Sequence, residues 1–200
     1  MIEFAAAVFF LILTPGPGVL SAAGVGAGFG FRAGFGYVLG LFLGNNIVAT
    51  LVISGLAAIL LGYEPLRLLL MGISTAYLFY LAMRIGFAGA EIGFIAAKHN
   101  PGVRDGIILQ LINPKAYAVN TALFTSFAFY PENFTIEIIT KLLIFNAIWV
   151  PLHLLWLYAG VRVHQLSLSP QQTRWVNIAM AGSLAAVVVL SALSLAATVR

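Results

Sequence analysis

Cysteine is absent from this chain of 200 residues, and charge is nearly so, at 8% of residues. Without thiols, disulfides, thiolate metal sites and dithiol redox chemistry are excluded. Soluble domains carry about a quarter charged residues, so this chain cannot cover a water-facing surface. Acidic residues are scarcer still: Glu3, Glu64, Glu91, Asp105, Glu132 and Glu137 are the full set. All fall at the ends of apolar runs, so none offers the deep carboxylate that proton coupling usually employs. Three scattered histidines give no metal-site spacing, and neither a metal nor a cofactor is expected. The net charge of +4 is too small for a nucleic-acid footprint. The N-terminus lacks a basic region and a small-residue cleavage site, so the first helix is expected to be retained.

Apolar sequence is abundant, at 62% of the chain, and places it in a lipid bilayer. A spanning helix needs about 20 mostly apolar residues. Sparse charges punctuate six such spans, near 3–27, 36–62, 65–87, 105–130, 138–162 and 173–197. The lysine and arginine bias sets orientation. With the N-terminus outside, the cytoplasmic connections hold Arg32, Arg84, Lys98, Arg104, Arg162 and Arg174, and the outer side holds Arg67, Lys141 and Arg200. The expectation is N-out and C-out. The whole chain, 1–200, reads as one transmembrane domain, with a cytoplasmic loop near 88–104 dividing half-repeats 1–90 and 104–200.

Three spans per half force the halves to run in opposite directions. The fold class expected is therefore all-α, six transmembrane helices as two inverted repeats, a common plan in secondary transporters. Each half opens with an interrupted helix: "LTPGPGVLSA" from Leu13 and "QLINPKAYAV" from Gln110. Proline removes a backbone donor and clashes with the preceding turn. At about 1.5 Å per residue, Pro15 lies roughly 18 Å into span one and Pro114 about 14 Å into span four. Both breaks sit near the midplane, approached from opposite faces. Unpaired backbone groups are tolerated there only beside protein or a wet cavity. Free amides and carbonyls at that depth suit the carboxylate and ammonium of a zwitterion.

Lys115 is the sole charge inside span four. Burying it costs roughly 2.5–3.5 kcal/mol on an insertion scale, so it should face a cavity. It reads either as a contact for a substrate carboxylate or gate, or as a donor to carbonyls freed by Pro114. Gly36, Gly40 and Gly44 form a four-residue stripe that suits helix packing. Of Asn45 and Asn46, one can seal a helix pair while the other lines the path. Asn46 lies 31 residues after Pro15, and Asn146 lies 32 after Pro114. His153 shares a face with Asn146 and is a candidate proton relay, or else a hydrogen-bonded packing residue. Tyr77 and Tyr80 read as packing anchors. Two other classes compete with a transporter. One is a non-transporting membrane assembly subunit using the glycine stripe. The other is an intramembrane hydrolase built on Ser183 and His153, a weak pattern, so no enzyme is expected.

At "TPGPG", "GFRAGFGYVLGLFLGN", "YLFYLAMRIG" and "INPKA" the sequence resembles the LysE/RhtB family of amino-acid exporters. The resemblance covers nearly the whole chain in length and order. It implies six helices, a bacterial inner-membrane location, and efflux of amino acids or related metabolites driven by the proton gradient. It also allows a homodimer. The family's motifs fall on Pro15, Gly16 and Pro17, flanked by Thr14, and on Asn113, Pro114 and Lys115. The chain departs from the family at three places. Gly18 stands where Asn is common, Asn45 where Asp is common, and "TSFAFYP" replaces a Pro-Gln-Phe ending. An amide at position 45 cannot carry a proton. Gln110 in "LQLIN" is similar to the cysteine and O-acetylserine export branch.

Overall fold

A computed structural model describes residues 1–55 and 101–165 continuously, with scattered positions between 65 and 87 and between 169 and 189. Most of spans three and six, most of the 88–104 loop, Tyr77 and Ser183 lie outside the described residues. The continuous segments form five helices: α1 (Ile2–Leu13), α2 (Pro17–Ile53), α3 (Val103–Ile112), α4 (Pro114–Ser126) and α5 (Phe134–Gln165). The described elements are all helices, as suits a membrane protein, because lipid leaves the backbone no other donor or acceptor. By length and apolar composition, Pro17–Ile53 and Phe134–Val163 could each cross a membrane.

α2 reverses direction within itself. Gly30 has φ 78° and ψ 176°, a conformation open to glycine and strained for other residues. The connection expected around 28–35 is thus one residue wide. Gly26 and Gly34, on the two arms, both press against Leu157 of α5. On the first arm, Gly18 meets His153 and Ala23 meets Gly160, so this arm runs parallel to α5. On the second, Phe42 meets Trp149 and Asn46 meets Asn146, so that arm runs antiparallel to α5. Gly40 crosses Val103 and Gly106, and Gly44 crosses Ile107 and Gln110, so α3 runs parallel to the second arm. The first and second interrupted segments therefore point in opposite directions.

Backbone contact at these crossings depends on missing side chains. A Cβ on Gly160 would lie 1.9 Å from the Ala23 carbonyl oxygen, and one on Gly40 would lie 2.0 Å from that of Val103. Gly40 and Gly44 of the expected stripe are thus covered within the chain by α3. Gly36 has nothing within 4 Å of its Cβ position among the described residues, and Gly34 packs in its stead. Two of the three stripe glycines thus pack within the chain.

Trp149, Phe145, Phe4, Leu41 and Leu123 form the centre of the apolar core. Large apolar side chains also face outward: Phe35, Leu39, Leu43 and Ile47 repeat every four residues and stay 40–50% exposed. A soluble helix would place charges on that face. Here the face suits acyl chains.

Span four ends earlier than expected. α4 stops at Ser126, and Phe127 turns extended. Lys141 of α5 donates from Nζ to the carbonyl oxygens of Phe124 (3.2 Å) and Phe127, and pairs with Glu137 at 2.9 Å. Glu137 in turn accepts from the amides of Phe129 (2.8 Å) and Tyr130 (2.6 Å). This clasp satisfies the carbonyls at the helix end, and the rings of Phe127 and Phe129 meet Phe4 of α1 edge-on.

Candidate substrate site

The site is assembled from two interruptions. α1 ends at Leu13, and α2 starts at Pro17 with Gly16 extended before it. In an unbroken helix the Gly18 amide would donate to the Thr14 carbonyl. That rung is absent, which leaves a carbonyl on one side of the gap and an amide on the other. The Thr14 hydroxyl bonds back to the Phe10 carbonyl at 2.7 Å and ends α1 locally. Pro17 occupies the first helical position, where a missing N–H costs nothing.

α3 and α4 are separated by Asn113 alone, which caps α4 by accepting from the Lys115 amide at 3.1 Å. The Leu111 carbonyl, which that amide would have served, accepts instead from the Tyr117 hydroxyl at 3.0 Å. The second interruption thus satisfies its own backbone. Its lysine does something else: Lys115 Nζ donates to the Thr14 carbonyl oxygen, the acceptor orphaned in the other interruption. The stem of Lys115 lies over Gly16, where a Cβ would come within 2.7 Å of Cδ.

Around this contact lies a small cavity, with about 30 Å³ open to the centres of water molecules. Ile12, Gly16, Gly18 and Val19 line it from α1 and the first arm of α2, and Asn45 lines it from the second arm. Gln110, Asn113, Lys115, Ala116 and Val119 line it from α3 and α4, and Trp149 and His153 from α5. A space this size holds water.

Side-chain amides form the polar wall. Asn45 Oδ1 accepts from Gln110 Nε2 (3.4 Å) and Asn120 Nδ2 (3.2 Å). Asn120 Nδ2 also donates to the Ala116 carbonyl at 2.8 Å, which fixes its orientation. Asn113 Nδ2 donates to Gln110 Oε1 at 2.7 Å. Two buried amide atoms of this wall remain unpartnered: Asn45 Nδ2 and Asn120 Oδ1. Asn45 lines the cavity, and its buried amide nitrogen has no partner among the described residues. His153 lies 3.0 Å from the Trp149 carbonyl through Nδ1, and its ring stacks on Trp149 at 3.5 Å. With Nδ1 donating, Nε2 is an acceptor, and it faces the bare side of Gly18.

Most residues singled out in the sequence converge here: Gly16, Asn45, Asn113, Lys115 and His153 on the cavity, with Thr14 as Lys115's acceptor. Pro15, Pro17 and Pro114 shape the breaks and do not face the cavity. Asn46 stands apart. It exchanges two amide hydrogen bonds with Asn146, at 3.2 and 3.0 Å, and so joins α2 to α5. Asn120 and Trp149 went unnoticed in sequence. Asn120 carried a signal, since it lies one helical turn from Ala116 and five residues past Lys115.

Long apolar helices, a lipid-compatible exterior and a polar cavity between two helix interruptions are the make-up of a polytopic helical membrane protein. The chain belongs to the LysE type translocator family, whose model matches residues 9–198. It is 32% identical over 130 residues to the uncharacterized membrane protein PA4757 of Pseudomonas aeruginosa, covering 60% of each chain. It is 26% identical over 125 residues to a leucine efflux protein of an Enterobacter species, covering 60% of this chain and 59% of that one. A leucine efflux protein of Salmonella typhimurium is 27% identical over 123 residues, covering 59% of this chain and 58% of that one. The matched region spans about three fifths of the length of these relatives. No solved structure matches the chain.

Proposed function

We propose that the chain is a secondary transporter that exports a small amino acid or amino-acid derivative across the bacterial inner membrane by alternating access. The observation that carries this is the bond from Lys115 to the Thr14 carbonyl, which joins one helix interruption to the other beside a polar cavity. Family membership and the leucine efflux relatives favour the same class.

The two interrupted segments, α1 with the first arm of α2 and α3 with α4, are equivalent parts of inverted repeats. Their opposed directions support this, as does the Asn46–Asn146 pair, which joins residues at matching positions of the two halves. With the N-terminus outside, the first segment enters from the outer face and the second from the cytoplasm.

A substrate carboxylate competes with the Thr14 carbonyl for Lys115. A charged acceptor makes the stronger hydrogen bond, so arrival of the carboxylate releases Thr14. The Gly18 and Asn45 amides add two donors, and the freed Thr14 carbonyl accepts from the substrate's ammonium. Occupancy thereby breaks the contact that holds the two segments together, and they can part. A substrate that binds both conformations equally would drive nothing. Here the closed state offers its lysine to Thr14 and the occupied state offers it to substrate.

Lys115→Ala should lower export about 10- to 150-fold while the protein still inserts, since a lost charge-assisted bond is worth about 1.5–3 kcal/mol. The check is intracellular amino-acid pools and analogue resistance in cells expressing equal amounts of each protein. Normal export by the variant would remove Lys115 from the mechanism.

A further inference from the structure

We propose that the cavity selects by charge: it takes a zwitterion whose side chain is uncharged and rejects amino acids that carry a second cation. This rests on the transport reading above and names its substrate class. Lys115 is the only charged residue among the described residues that line the cavity. Its Nζ, with the Asn45 amide nitrogen and the Gly18 amide, supplies donors for one carboxylate. The Thr14 carbonyl supplies an acceptor for one ammonium. A second ammonium would find no carboxylate among the described lining residues and would face Lys115 across a space a few atoms wide.

The acidic residues are few enough to place. Glu3 and Glu132 are exposed, Asp105 accepts from the Gly102 amide, and Glu137 is held by Lys141. Glu64 and Glu91 lie outside the described residues, and by sequence they sit at the ends of apolar runs. Side-chain room is set by Gly18. A Cβ there would lie 3.3 Å from His153 Nε2 and 3.6 Å from Gln110 Oε1, so glycine keeps that corner open. Val19, Val119 and Trp149 also line the cavity and suit an aliphatic stem, while His153 Nε2 and Gln110 Oε1 are neutral acceptors that supply no counter-charge for a second ammonium. Burying an unpaired charge against such a wall is far costlier than burying a methyl group.

Norleucine and lysine isolate the charge, because they share a four-carbon stem and differ by the terminal ammonium. The full chain is reconstituted in proteoliposomes, and exchange of labelled norleucine, leucine, threonine and lysine is measured directly. Competition against the best of these follows. Lysine should compete at least ~100-fold more weakly than norleucine, and norleucine methyl ester, which has no carboxylate, should fail to compete. Lysine within about threefold of norleucine, or exchange of lysine alone, would overturn the proposal. Equal competition by the ester would overturn the carboxylate anchor. Exchange of none of the four would overturn the transport reading and this inference with it.

Discussion

Two lysines lie inside apolar helices of this chain, and their surroundings differ completely. Lys141 is 2% exposed and saturated: two carbonyl oxygens and a carboxylate take its three protons, and its ammonium sits 5.5 Å from the Phe129 ring centroid. Its partner carboxylate is saturated in turn by two backbone amides. Lys115 is half-buried, has one carbonyl acceptor, and borders a cavity with an unpartnered amide donor on its wall. A buried charge whose partners all come from the chain is structural. One that leaves hydrogen-bonding capacity beside a cavity is set up for a ligand. Both have the same residue type and similar sequence surroundings, so the distinction lives in the packing.

The largest effect expected from breaking this contrast is on stability. Lys141→Ala leaves Glu137 buried without its counter-ion and should cost about 3–5 kcal/mol. The readout is thermal unfolding of the detergent-purified protein. Replacing both partners, Lys141→Met with Glu137→Gln, should recover much of the loss, because no charge is then orphaned. Lys115→Ala should stay within about 1 kcal/mol of wild type in the same assay, since it gives up a single exposed bond. If the two lysine variants unfold together, the contrast is wrong.

A smaller effect tests how Lys115 is aimed. Gly16→Ala puts a Cβ within 2.7 Å of Lys115 Cδ, so the stem must shift from the path that carries its ammonium to Thr14. Export should fall about tenfold, the equivalent of ~1.4 kcal/mol, with stability little changed. Gly36→Ala is the control. Its Cβ position meets nothing within 4 Å, and alanine is the better helix former by up to about 1 kcal/mol. Export should be untouched there. A Gly16→Ala protein that exports normally would mean the stem has no fixed path.

The sequence exposed the interruptions because proline and glycine act locally: Pro15, Pro17 and Pro114 cluster with glycine or asparagine at helix starts, whereas the lone Pro151 sits inside the continuous α5. It also exposed the site's cation, because a charge in an apolar run has a known cost. The partner of that cation was not legible. The Thr14 carbonyl is backbone, every residue has one, and only the fold selects it. The amide wall was half legible. Asn45 and Asn46 are adjacent and chemically identical, and which faces the cavity depends on the rotation of the second arm about its axis. That rotation is fixed by Gly40 and Gly44 against α3. The Lys141–Glu137 clasp had a readable spacing of four. Its purpose did not, because the carbonyls it serves belong to α4. The reversal at Gly30 was placed by Arg32 but drawn too wide, since sequence shows that a glycine is present and not that its φ is positive.

The smallest effect expected concerns the amide pair that joins the halves. Asn46 and Asn146 each donate to the other's oxygen, and Asn46 Nδ2 also reaches the Phe42 carbonyl at 2.9 Å. Each alone, changed to Ala, leaves the other amide part-buried with unmet groups, at about 1–2 kcal/mol. Changing both removes donor and acceptor together, so the double variant should be more stable than additivity predicts, by about 1 kcal/mol. Membrane hydrogen bonds of this kind average about 0.6 kcal/mol in measured cycles, so the coupling is modest by nature. What makes it informative is position. If the halves are inverted repeats, the pair lies where their axis passes, and it stays formed while the segments around the cavity separate. The coupling should therefore be the same with and without bound substrate. A coupling that vanishes on substrate addition would put the moving interface at Asn46, and the Lys115–Thr14 contact would no longer be the place where the transporter opens.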